Sequence, residues 1–401
     1  MGPVATAPGT VNNALVSNQD TAGLFLRCLL VDIALTKVLH ILDSLNRGGA
    51  EMMALDLCRN ARANDLDLTF VATGGGDLEE EFRNSGVSFV RLQRRLPIDP
   101  SLASQLREII TSQKINIVHS HQPVEAIHLY LATRSTEVKR VLTLHGFYPG
   151  AKNELALRFV LPRIHQCIVV SNEVMRLLNE KSGVKLPNAS IIDNGVDAKR
   201  LKAEGKNLRA EFGLVAEQVL FGMVGNFSPV AQKDQITVCR ALPAIFEAIP
   251  NAHFVFIGGR SAAAPQLFDE CVKFCEEAGI SRRVHFAGKR SDIGNVLGSL
   301  DLFVLSSLRE GAPISVIEAM LAGVPTLLSD IDPLREISDD GKYGVLFKAG
   351  DQGDLAEKLI ALFNDPARRE SLTQSAQEWA NSRFSIETHI ANLVGLYGRL
   401  A

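Results

Sequence analysis

A chain of 401 residues is too long for one ordinary hydrophobic core, so two domains are expected. Its net charge of −3, split between a mildly basic first half and an acidic second half, argues against a dedicated nucleic-acid binder and would suit contact with anionic lipid headgroups on the basic side. The six cysteines (Cys28, Cys58, Cys167, Cys239, Cys271, Cys275) mostly lie far apart, several in apolar runs, as buried thiols of a reducing compartment do; no second pair joins Cys271 and Cys275 to complete a zinc set.

Residues 1–36 read as an N-terminal extension. Met1 to about Ala22 is small, polar and aperiodic, and disorder is expected there. Gly23 to Leu35 is too short to span a bilayer and lacks the flanks of a signal peptide; it is expected to pack on the first domain, with an interfacial helix as the alternative. Lys37 to Asp43 is the first strand, and its loop leads through Gly48 and Gly49 into a helix beginning near Met52. Glycines at such a junction let backbone amides approach a phosphate.

Leu68 to Thr73 is a second strand, ending in Gly74-Gly75-Gly76. Glu79 stands where a dinucleotide fingerprint needs glycine, and the acidic segment that follows repels pyrophosphate, so NAD is excluded. Strand Val87 to Arg91, helix Ser101 to Gln113 and strand Ile115 to Val118 continue a βα alternation that gives a parallel sheet with ligands at the strands' carboxyl ends. Two histidine-bearing loops fall at such ends: His119-Ser120-His121, and His145-Gly146 after Val141 to Leu144. Alternation is expected to put His119 and His121 on opposite faces, which would prevent a shared ion. Ile168 to Ser171, then Ile191 to Asp197 with its Asn194-Gly195 turn, end a first domain spanning 37–200, and a polar, lysine-rich hinge follows over 198–207.

The second domain, 208–383, opens with strand Val219 to Val224, a loop containing Gly225 and Asn226, and Lys233: a strand, glycine loop and lysine that together make a phosphate clamp. Buried strands follow at His253 to Gly259 and Val284 to Gly288, and helices near Asp354 to Phe363, Arg368 to Asn381 and Ile386 to Leu400. The most informative stretch is Asp301 to Pro325. Leu302 to Leu305 reads as a buried strand, Pro313 opens a helix with one apolar face (Val316, Ile317, Met320, Leu321), and Gly323 and Pro325 stop it. The loop Glu310-Gly311-Ala312 therefore sits at a helix amino end, where unpaired N–H groups and the helix dipole attract anions. Glu310 and Glu318 flank that anion site. Carboxylates there suit sugar hydroxyls, one holding a transferred sugar and the other a ribose, with the diphosphate on amides between them.

Glu310 and Glu318, with seven residues between them in EGAPISVIEAM, resemble the E-x7-E signature of the retaining glycosyltransferases of family GT4, the glycosyl transferases group 1. The GGAE loop and the LTLHG and NGVD stretches are similar too, and the resemblance covers about residues 37 to 400. It implies an α/β chain of the GT-B fold: two Rossmann-like parallel-sheet domains facing across a cleft, with 384–401 as a helix crossing back to the first. By resemblance, Glu310 contacts the donor sugar and Glu318 the ribose, while Gly311, Ala312, Pro313 and Ile314 lie along sugar and phosphates. Gly48, Gly49 and Lys233 would face the diphosphate, His145 the donor sugar, His121 and Ser171 the acceptor side, and the loop Lys289 to Asp292 the base. Asn226 stands where many members have arginine, leaving Arg260, Lys289 or Arg290 as a second cation.

Breaking the anomeric bond puts negative charge on the leaving diphosphate, which these fixed donors can stabilise without a metal. No carboxylate obviously sits beneath an anomeric carbon, so front-side transfer with retention is expected, the leaving phosphate helping to take the acceptor proton. The resemblance implies a cytoplasmic enzyme, peripheral at most on the membrane face, with no cofactor, no metal and no nucleic-acid partner. It would take a nucleotide sugar, carried on uridine diphosphate by family frequency, and a carbohydrate or lipid-linked acceptor. The competing expectations are a GT-B nucleotide-sugar epimerase and a non-catalytic scaffold; the Asn226 departure favours the scaffold, and the intact Glu310, Glu318, Lys233 and GGAE loop oppose it.

Overall fold

The computed structural model describes residues 36–146, 151–181, 188–203, 205, 208–228 and 233–401, of which Thr36–Ala401 form one unit. The expectations for residues 1–35, Cys28 among them, lie outside the described residues.

Among the described residues, thirteen short strands form two parallel sheets, and the inner strands are buried on both faces, as continuous hydrophobic runs are when helices cover both sides. The first contains β1 (Lys37–Leu42), β2 (Asp67–Ala72), β3 (Ser88–Arg91), β4 (Ile117–Ser120), β5 (Lys139–Leu144), β6 (Gln166–Val169) and β7 (Ala189–Ile191), in the order β3-β2-β1-β4-β5-β6-β7. The second contains β8 (Val219–Val224), β9 (Ala252–Ile257), β10 (Val284–Phe286), β11 (Leu302–Leu305), β12 (Thr326–Ser329) and β13 (Val345–Phe347), in the order β10-β9-β8-β11-β12-β13. Each order reverses beside its first strand, between β1 and β4 and between β8 and β11. Crevices for ligands open at such points, at the carboxyl ends of the strands.

Three helices position the site: α1 (Gly49–Asn60), α2 (Ile314–Leu321) and α3 (Ile386–Leu400). α3 begins at Ser385, whose hydroxyl accepts from the Thr388 amide at 3.2 Å as a cap. Its Ile386, Ile390, Leu393 and Tyr397 recur at helical spacing and enter the same cluster as Val38 and Phe70 of the first sheet. Burying each such side chain contributes about 2 kcal/mol, so this helix is part of the first lobe's core although the helix before it, Pro366–Phe384, packs on the second. Gly195 explains the close docking: a side chain there would meet His389 of α3.

Four local expectations change. The first helix starts at Gly49 rather than near Met52, because Gly48 already occupies the extended cap position. Pro313 is also a cap, with ψ 116°, and the first helical residue is Ile314. The last strand of the first sheet ends at Ile191, so Asp193 to Asp197 is loop. β4 runs to Ser120, which makes His119 a strand residue, and residues two apart share a face. His119 and His121 are therefore not on opposite faces: their rings stack with centroids 4.8 Å apart.

Candidate active site

A cavity of about 520 Å³ lies between the two sheets' carboxyl ends. From the first lobe Arg47, Gly48, Gly49, His145 and Asn194 line it; from the second, Gly225, Asn226, Lys233, Lys289, Arg290, the run Glu310 to Ile314, and Glu318. It is thus bounded by the amino ends of both α1 and α2, where free N–H groups converge. The lobes touch beside it. A side chain at Gly311 would run into the carbonyl oxygen of His145, and Asn194 donates its amide to the Ala312 oxygen at 3.0 Å.

Lys233 is buried to 11 % side-chain exposure and its Nζ lies 2.7 Å from Glu310 Oε1, which also accepts from the Ser307 hydroxyl at 2.6 Å. The lysine stem crosses Gly225 so closely that a side chain there would displace it, and a glycine follows β8. Glu318 lies 2.7 Å from Arg200, which also holds Asp56 of α1 at 2.7 Å. Asp56 is wholly buried, and burial raises its pKa to about 6 against the opposing pull of Arg200. One guanidinium thus spans two buried carboxylates, one from each lobe.

The remaining cations are committed elsewhere. Arg290 forms paired bonds with Asp292 and Glu211, all at 2.9 Å, and Arg260 binds Asp269 at 2.7 Å, away from the cavity. Lys289 stands 3.9 Å from Asp77. Asn226 accepts from the Gly259 amide at 2.7 Å, so it ties the loops after β8 and β9 together rather than presenting a charge. Arg47, on the cavity wall and 2.7 Å from Glu81, is a cation the sequence reading passed over.

Two expected site residues do not line the cavity. His121 is turned inward between His40 and His145, 2.9 Å from each. Ser171 is buried and caps the helix Asn172–Lys181, accepting from the Val174 amide at 3.3 Å. Apart from these two and Arg260, the expected site residues surround the same space. Arg200 was missed because it sits in what reads as a polar hinge. The available signal was Asp56, a carboxylate on the apolar face of α1 between Met53 and Leu57, which requires a buried partner.

A family profile described as glycosyltransferase family 4 matches residues 47–200, and one described as glycosyl transferases group 1 matches 204–379. The chain belongs to glycosyltransferase family 4. This glycosyltransferase is similar to the EpsD protein of Bacillus subtilis, 29% identical over 324 residues that cover 76% of this chain and 82% of the relative. It is also similar to the UDP-Gal:alpha-D-GlcNAc-diphosphoundecaprenol alpha-1,3-galactosyltransferase of Escherichia coli, 24% identical over 353 residues, 84% of this chain and 88% of that one. Among solved structures, Anabaena HepE in complex with UDP and glucose superposes with a TM-score of 0.80 at 19% identity, covering 90% of the glycosyltransferase and 99% of HepE. The fold is GT-B, and the enzyme is a transferase.

Within the glycosyltransferase, no helix of the described residues is long and apolar enough to cross a membrane. Also among the described residues, no group of three or more His, Cys, Asp or Glu is placed to hold a metal ion.

Proposed function

We propose that this enzyme moves a sugar from a UDP-sugar to a hydroxyl of a carbohydrate or lipid-linked acceptor, with retention and without a metal. The observation that carries the reading is the Lys233–Glu310 pair, 2.7 Å apart at the amino end of α2. A lysine and a glutamate that pair at the cavity wall can separate onto a ligand bearing both a diphosphate and vicinal hydroxyls: the ammonium takes a phosphate oxygen and the carboxylate accepts from the sugar. Glu318 at the far side of α2's first turns would accept from ribose hydroxyls. The amide groups of Gly48 and Gly49, Lys233 and the two helix amino ends supply fixed positive potential for the departing diphosphate, the work a metal does in other transferases. Arg47 is the second cation of this site in our reading, in place of Arg260 or Arg290, since it lines the cavity and, among the described residues, is ion-paired with Glu81 alone.

The E. coli relative is named for transfer from UDP-Gal to a lipid diphosphate-linked sugar, and HepE is named with UDP and glucose, which supports uridine diphosphate as carrier and a glycolipid or polysaccharide acceptor. Contact with an anionic membrane face through the first lobe, on the cytoplasmic side, belongs to the same proposal.

The test is release of free UDP from a panel of UDP-sugars, with and without extracted acceptors, followed by NMR of the product's anomeric configuration. Release from one donor, with the anomeric configuration kept, is the expected result. Binding without release would favour the scaffold, and conversion of the donor to its epimer would favour the epimerase.

A further inference from the structure

Six side chains form one unbroken file of hydrogen bonds inside the first lobe. Thr143 Oγ1 lies 2.7 Å from His119 Nε2, and His119 Nδ1 lies 2.6 Å from the hydroxyl of Tyr397 on α3. The same hydroxyl is 2.8 Å from His40 Nε2; His40 Nδ1 is 2.9 Å from His121 Nε2, and His121 Nδ1 is 2.9 Å from His145 Nε2. The first five are buried, and His145 forms part of the cavity wall.

A file of this kind admits only two proton orders. A neutral imidazole has one donor and one acceptor nitrogen, so each ring passes on the direction it receives, and a tyrosine hydroxyl donates once. Burial keeps the rings neutral, holding His40 near about 3 and His145 near about 4. Whichever order holds, every ring must follow it. If His145 carries its proton on Nδ1 and accepts at Nε2, then His121, His40 and His119 are Nδ1–H tautomers as well; if His145 donates from Nε2, all four are Nε2–H.

We propose that Tyr397 is a positioning residue for transfer: by ordering this file it fixes as one tautomer His145, which lines the cavity and whose carbonyl oxygen faces Gly311 of the Glu310 loop. The proposal rests on the transfer reading above. Tyrosine hydroxyl and histidine rings in a buried network could serve packing alone, and a single-atom deletion separates the two roles.

The experiment is Tyr397→Phe in the full chain, read by NMR of 13C,15N-histidine-labelled protein and by steady-state kinetics. Wild type is expected to show His145 as a single tautomer. The variant is expected to keep a cooperative melting transition, show mixed tautomers at His145 and His40, and hold UDP affinity within about twofold while kcat falls ten- to roughly a hundredfold, the scale of a small misplacement near the reacting atoms. An unchanged His145 tautomer, or a changed tautomer with unchanged kcat, overturns the proposal. Thr143→Val removes the hydroxyl at the file's far end without touching α3, and is expected to shift the same tautomers; it decides the matter if the phenylalanine variant does not fold. If wild type releases UDP from no donor, the transfer reading falls, while the tautomer of His145 in the two variants still decides whether Tyr397 orders the file.

Discussion

Arg200 holds Glu318 at 2.7 Å from the single turn Ala198–Leu201, which belongs to neither sheet. Because the same guanidinium reaches Asp56 of the first lobe, the carboxylate assigned to ribose is oriented from the hinge. Arg200→Ala leaves two buried carboxylates facing each other, which is expected to cost about 3–5 kcal/mol, as breaking buried pairs does. UDP affinity should fall with it. Arg200→Lys keeps the charge but cannot fork between both partners, so it should recover stability more than UDP affinity. Urea unfolding and UDP titration calorimetry on both variants check this.

Glu310→Ala removes the acceptor proposed for the sugar hydroxyls and frees Lys233 from its partner. Turnover is expected to fall by roughly two to three orders of magnitude, the scale of removing one preorganised contact to a transition state. UDP should still bind, since Lys233 gains freedom to meet phosphate. Wild-type turnover in this variant would refute the assignment.

Gly311→Ala places a methyl group against the His145 carbonyl. The lobes must then separate locally, or the Glu310 loop must shift. The fold should melt as before, because both cores are untouched, while kcat drops more than donor affinity. Single-turnover kinetics distinguishes that pattern from a simple loss of binding.

Glu125, in the first turn of Pro123–Thr133, is almost wholly buried, and burial together with Asp43 raises its pKa from 4.5 to about 7, against the opposing pull of Arg94 at 3.4 Å. A carboxyl whose folded pKa is raised binds its proton more tightly in the folded chain. Its contribution to stability is therefore full below the unfolded value and is lost as pH rises from about 4.5 to about 7. Glu125→Gln should be close to neutral at about pH 4.5 and stabilising by a few kcal/mol at about pH 8, as denaturant unfolding at the two pH values will show.

Because fixed cations and amides are proposed to carry the diphosphate, UDP release should persist in excess EDTA. A strict requirement for added divalent cation, measured in the same assay, would contradict that proposal.

Much of this was legible in the chain because it is local. A helix amino end is written in four or five consecutive residues, so the Glu310 loop, α2 and the β8–Gly225 junction could be read from spacing alone. The GGAE loop was equally clear, although its helix begins earlier than hydrophobic periodicity suggests. What escaped is long-range. Arg200 finds its two partners 144 positions back and in the other lobe, and a lysine-rich hinge gives no hint of either. His121 and Ser171 were placed on the acceptor side by resemblance; the side chain of one lies in a buried file of rings and that of the other caps a helix. His119 and His121 were separated by miscounting a period of two, which places such residues together.

α3 carries a last consequence. Tyr397 meets His40 across 357 positions of sequence, so during synthesis the first lobe emerges with its apolar wall open and its histidine file lacking the tyrosine hydroxyl until residue 397 has been made. The core of the first lobe is completed by a helix made after the whole second sheet, which ties the folding of one lobe to the synthesis of the other.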